Sequence, residues 1–180
     1  MFIRICYLVI CFLPVFAGIG CNADEDVQNI QEYTGPVIEV DSALTFYSDS
    51  AIVRVKVMAA RQLEFQNGDQ EFPEGIYMEF FDLDGKISST LKANQAFYNK
   101  EKDVYIGIGD VVVRNILKNE QLNTEELSWK RNEQKIFTDK FVRIETDENI
   151  HTGEGLTSDQ QFINWKILKP SGIISIDTDS

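Results

Sequence analysis

Few residues in this chain are arranged to do covalent chemistry. His151 is the single histidine in 180 residues. Imidazole metal cages and serine–histidine–aspartate triads have little to build on with that supply. His151 lies two residues before Gly153 in a strand-like run and reads as a surface or partly buried polar side chain. Asp82, Asp84 and Gly85 have the opening spacing of a calcium loop, but the later oxygen ligands and the terminal glutamate are missing. A tight hairpin turn accounts for the same residues. The 29 Asp and Glu residues offer carboxylates for glycoside hydrolysis, yet no pair stands apart from the turns and solvent faces. The sequence carries neither a phosphate-cradling glycine loop nor a nucleophile elbow. It therefore predicts no catalytic residue, no metal and no cofactor, and a protein that binds rather than reacts.

One thiol is distinctive by its position. Arg4 supplies a short positive region, Ile5 to Phe16 is apolar apart from Pro14, and the small residues Ala17, Gly18 and Gly20 precede Cys21. That is the layout of a secretory signal. The stretch is short and interrupted for a membrane span, which needs about 20 apolar residues. Small residues directly before a cysteine also resemble a bacterial lipoprotein cleavage box, with Gly18 where leucine is usual. On this reading residues 1–20 are a signal peptide, Cys21 is the lipidated first residue of the mature chain, and residues 21–36 are an acidic spacer. The alternative is an uncleaved N-terminal anchor with Cys21 an incidental thiol. Cys6 and Cys11 fall in the discarded segment, so Cys21 has no disulfide partner in the mature chain. Both readings export the body and tether it to a membrane. The formal net charge is −12, or −13 without Arg4, and no basic stripe relieves it. Nucleic acid is excluded as a partner on that ground.

From Val37 onward the chain reads as strand after strand. Val53, Val55, Val57 and Ala59 alternate with Arg54, Lys56 and Met58, a period of two with one apolar face. Ile76, Met78 and Phe80 mark another strand, turned at Asp84 and Gly85 into Ile87–Leu91. Further polar turns are expected at Lys100–Asp103, Lys118–Gln121, Lys130–Gln134 and Thr146–Asn149. A short helix over Gln28–Tyr33 is the sole helical expectation. Residues 37–180 therefore form one all-β domain. Its last stretch, Gly172–Ile176, is either an open edge able to take a neighbour's strand or simply the strand that completes the sheet.

Two segments read as copies. Leu91, Ala93, Ala96 and Tyr98, a turn, then Gly109, Val111 and Val113 superpose on Leu122, Thr124, Leu127 and Trp129, a turn, then Lys140, Val142 and Ile144, at a shift of about 31 residues. Weaker echoes run upstream through Val57, Ala59 and Gly75 and downstream through Gly153, Leu156, Trp165 and Gly172. The repeating unit is a strand pair, so the whole is a stack of hairpins with a continuous apolar inner face. In one place the patterns disagree. The repeat puts Tyr77 and Glu79 inside, whereas the alternation puts Ile76, Met78 and Phe80 inside. An inserted residue or a bulge would reconcile them. Phe46, Phe80, Tyr98, Trp129 and Trp165 are candidates both for ordinary core and for lining a groove for acyl chains or sugars.

The segments Thr90–Tyr98, Gly109–Val113, Leu122–Trp129, Lys135–Lys140 and Gly153–Leu156, in this order and spacing, resemble the LptC family. Its members are periplasmic components of lipopolysaccharide export, within the wider OstA-like group. Lys169–Gly172 is similar to the Bacteroidetes form. The resemblance covers roughly Asp41 to Ile176. It implies an open, twisted β-jellyroll whose interior receives lipid A acyl chains from an inner-membrane ABC transporter and hands them on through edge-strand pairing with a neighbouring jellyroll. It implies an inner face made of Val55, Val57, Ala59, Leu91, Ala93, Ala96, Tyr98, Val111, Val113, Leu122, Leu127, Trp129, Val142, Ile144 and Leu156. Small Ala93 and Ala96 would leave room for chains. The best-known members are held by a transmembrane helix, whereas Cys21 suggests a lipid anchor, with the inner membrane favoured. A surface lipoprotein that binds carbohydrate or acts as an adhesin is the alternative. It would show aromatic residues on its outer face.

Overall fold

The computed structural model describes residues 33–175. The signal segment, Cys21 and the expected helix, apart from its last residue Tyr33, lie outside them. Eleven strands follow: β1 (Ile38–Asp49), β2 (Ile52–Glu64), β3 (Gln70–Phe72), β4 (Ile76–Phe81), β5 (Ile87–Ala93), β6 (Gln95–Asn99), β7 (Val104–Asn115), β8 (Glu120–Lys130), β9 (Lys135–Glu145), β10 (Asn149–Asp159) and β11 (Trp165–Ser175). Arg131–Glu133, one 3-10 turn, is the helical exception among the described residues. All ladders are antiparallel, in the order β11-β10-β9-β8-β7-β5-β4-β2-β3-β6, with β1 on β2 and β6 also on β7. The fold is the all-β jellyroll that the sequence predicts.

Each long strand serves two half-sheets, because the sheet is creased. In β7, Ile108 faces Glu126 but Val111 faces Thr124, so Gly109 and Asp110 together oppose Glu125. Both adopt left-handed backbone, φ 78° and 46°, the conformation a bulge needs and the one where glycine carries no Cβ penalty. Neighbouring strands slip at the same level: between Thr124 and Ser128 of β8, between Glu154 and Leu156 of β10, and between Thr152 and Gly153 against β11. On the other flank of β7 the chain is cut at Asn94, between β5 and β6, and the Asn94 N–H donates to the Gly109 carbonyl at 3.0 Å. The aligned irregularities fold the ribbon, so that the N-terminal part of β2, β4, β5 and the C-terminal part of β7 lie in one half-sheet. The C-terminal part of β2, β3, β6 and the N-terminal part of β7 lie in the other. Beyond β7 the strands continue through both.

The crease also settles the disagreement over β4. Ile76, Met78 and Phe80 are buried and Tyr77 is exposed, as the alternation predicts. The repeat misplaces them because β7 carries an extra residue, Asp110, between its glycine and its first inward valine, and Gly75 is followed at once by Ile76. The Asp82–Lys86 turn is a hairpin closed from within. The Asp82 carboxylate accepts the N–H groups of Asp84 and Lys86, both at 2.9 Å, which is where a cation would have needed it. Turns fall close to the expected places, except that Ile116–Asn119 precedes the expected Lys118–Gln121, because Glu120 already pairs with Asn115.

Candidate functional site

The inner faces of both half-sheets meet in one core. Of the fifteen inward positions implied by the family resemblance, fourteen are at most 9% exposed, and Ala59 packs against them half-buried. The register brings the repeat copies into matching pairs: Leu91 with Val113 and Tyr98 with Tyr105, then Leu122 with Ile144 and Trp129 with Ile136. Four core members were not anticipated: Phe72, Tyr105, Ile136 and Phe162. Tyr105 and Ile136 stand 31 positions apart, so the repeat itself held the signal for both. Phe162 sits in the β10–β11 turn, where no period operates. Phe46 is a correction to the aromatic candidates. It points outward, half exposed, because β1 turns Ala43, Thr45 and Tyr47 toward β2's inward Val57 and Val55 and pairs Phe46 with Lys56.

The half-sheets close on each other along a seam opposite the crease, and they meet with an offset. At one end Tyr47 of β1 reaches Tyr105 of β7, their hydroxyls hydrogen-bonded at 2.5 Å. Tyr105 stacks on Tyr98, centroids 4.5 Å apart, and on Trp129 at 5.3 Å, while Phe80 meets Trp129 edge-on at 5.3 Å. Arg131 lies over the Tyr47 ring at 4.7 Å and pairs with Asp103 at 2.8 Å. Tyr98 donates its hydroxyl to Asp103 at 2.9 Å. Burial first, and then the Asp103 carboxylate, push the Tyr98 phenol up to about 12. Burial, and then the Tyr47 hydroxyl, raise Tyr105 further. These rings are structural, held neutral in an apolar setting.

At the other end of the seam the contacts are mostly polar and surround the Phe162 ring, which stacks on Trp165 at 6.3 Å. The Ser89 hydroxyl of β5 donates to the Gln160 carbonyl at 3.1 Å. The Asn115 amide of β7 donates to the carbonyls of Gln161 at 3.2 Å and Phe162 at 3.0 Å. Lys118 Nζ reaches the Ile163 carbonyl at 2.6 Å, and Trp165 Nε1 donates to Glu120 at 2.9 Å. Trp129 Nε1 donates to Gln160 Oε1 at 3.1 Å. Phe162, fully buried, holds φ 54°, a conformation that costs a bulky residue on the order of 1–2 kcal/mol.

A hollow of about 910 Å³ opens where β2 leaves β4. Pairing with β4 ends at Met58 and pairing with β3 begins at Leu63. Ala43, Ala59, Ile76 and Ala93 line it together with Tyr77 and Lys92. Ala93 thus borders this hollow, whereas Ala96 does not line it and is packed in the core. His151 rests its ring near Trp165, centroids 5.3 Å apart. No group of three or more potential metal ligands gathers among the described residues. No described helix is long and apolar enough to cross a membrane.

A family model described as lipopolysaccharide-assembly, LptC-related, matches residues 45–167. The chain belongs to the LptC-related family. The match runs from the middle of β1 into β11 and so takes in the crease, the aromatic end of the seam and the β10–β11 turn. The description ties this LptC-related chain to lipopolysaccharide assembly. No curated protein matches it.

Proposed function

We propose that the chain is a non-enzymatic carrier in lipopolysaccharide export, working in the periplasm and tethered to a membrane through lipidated Cys21. It takes lipid A acyl chains from the inner-membrane ABC transporter into its apolar interior and passes them to a neighbouring jellyroll by edge-strand pairing. The observation that carries this reading is the continuous inward face from Val55 to Leu156, made by side chains of successive strands and ended by two strands, β1 and β11, each paired on one side among the described residues. The energetics fit. Each buried methylene contributes about 0.8 kcal/mol, so acyl chains are held without charge pairing, which suits a protein of net charge −12. Because the inward side chains fill the space between the half-sheets, loading requires the halves to part.

The test is a photocrosslinker at Leu91 or Trp129 in cells with an active transporter. Adducts with lipopolysaccharide at these inward positions support the carrier. Adducts confined to outward Lys92 would sink it. A carbohydrate-binding surface lipoprotein is the second reading, favoured by the exposed Phe46, Phe137 and Phe141. These rings sit on the distant strands β1 and β9, so they make no single platform. Oligosaccharide protection of Phe46 from modification, with no inward lipid adduct, would prefer this reading.

A further inference from the structure

We propose that the β10–β11 turn, residues 160–164, is a latch, and that the jellyroll opens at this end of the seam while the aromatic end stays shut. The ligand part of this inference rests on the carrier reading above; the opening itself does not. The two ends differ in what separation costs. Parting the aromatic end exposes Tyr47, Tyr105 and Trp129, whose rings are mutually packed, to water. Parting the turn end uncovers one fully buried ring, Phe162, and otherwise breaks hydrogen bonds from Ser89, Asn115 and Lys118 to main-chain carbonyls, which water replaces in part.

Three further observations point the same way. Buried polar residues gather here: Ser89, Asn115, Ser158 and Gln160 are each at most 4% exposed. The Ser158 hydroxyl has no hydrogen-bond partner among the described residues, and opening would give it water. Phe162 plugs the seam with left-handed backbone, a strain that release removes. The turn is also built to move as one piece. The Asp159 carboxylate accepts the N–H groups of Ile163 at 2.9 Å and Asn164 at 3.0 Å. Its ties to itself are therefore separate from its ties to the opposite half-sheet.

Thiol labelling of the full chain, read peptide by peptide, tests this. In a Ser158→Cys variant the new thiol lies under the latch; in Ala96→Cys it lies in the core beside the aromatic end. The first should label faster. Adding Asn115→Ala should speed it by roughly tenfold, the worth of two lost hydrogen bonds, and exposed Lys118→Ala should act in the same direction if Asn115→Ala folds poorly. Tyr47→Phe should leave it unchanged. Equal labelling at the two sites, or acceleration by Tyr47→Phe alone, overturns the latch. With a photocrosslinker at Leu91 and purified lipopolysaccharide, Asn115→Ala should also speed adduct formation. Absence of any Leu91 adduct in the otherwise native chain refutes the carrier reading, and the labelling arm still decides the latch.

Discussion

The tyrosines at the closed end of the seam give the clearest single-residue expectations. Tyr47→Phe removes one partner of the Tyr47–Tyr105 hydroxyl pair and leaves the buried Tyr105 hydroxyl unpaired, a loss of about 1–3 kcal/mol. Changing both to phenylalanine should cost less than the sum of the single changes, and urea unfolding of the double-mutant cycle measures this. Alkaline pH attacks the same cluster. The unfolded chain releases a tyrosine proton near pH 10, while folded Tyr98 keeps its proton until about 12. Its contribution to stability is complete below pH 10 and disappears between pH 10 and 12, because there the unfolded state binds fewer protons than the native state. Phenolate absorbance followed against pH should show Tyr98 and Tyr105 ionising only as the protein unfolds. At this scale the sequence was partly legible. Alternation and repeat place Leu91, Val113 and Trp129 inside, but hydroxyl partners such as Asp103 for Tyr98 depend on where a turn ends. Phe162 was invisible, since its burial follows from a turn meeting a distant half-sheet.

Among the elements, β4 and β10 carry the sharpest predictions. Met78 is buried and Tyr77 beside it is exposed. Met78→Ala should therefore lower stability by about 2–5 kcal/mol, and Tyr77→Ala by roughly 0.5 kcal/mol or less, in thermal or urea unfolding. The reverse order would mean that the repeat, not the alternation, describes β4. Gly153 of β10 sits where β11 leaves no room for a side chain. A Cβ there would collide with the Lys169 carbonyl oxygen and come within 2.9 Å of Pro170 Cα. Both are main chain and cannot swing aside. Gly153→Ala should displace the edge strand and cost about 1–3 kcal/mol, visible as faster amide exchange along β11. Strand existence and hairpin pairing were readable because side chains alternate over short distances. The crease was not, because a bulge is defined by a partner strand. Only the glycines at 75, 109 and 155 hinted at its level.

On the scale of the molecule, the chain is a meander whose ladders never skip more than two strands. Cys21 lies outside the described residues and is tested at this scale. Cys21→Ala should leave melting of the domain unchanged and move the protein from the membrane to the soluble fraction; retention would favour the uncleaved anchor. At this level the order and spacing of the repeated segments made the family legible, and with it the link to lipopolysaccharide assembly. The offset of the two half-sheets along the seam was hidden, since it rests on contacts between residues such as Ser89 and Gln160 that are 71 positions apart. That separation has a kinetic side. Hairpins close short loops, whereas the seam must close long ones, and the entropy of doing so falls late in folding. Asn115→Ala should accordingly speed unfolding while hardly changing the refolding rate, the signature of contacts absent from the transition state. If the seam closes last, each newly made molecule passes through a stage with an uncovered apolar trough, and under the proposed carrier function an acyl chain present at that moment would compete with the protein's own closure.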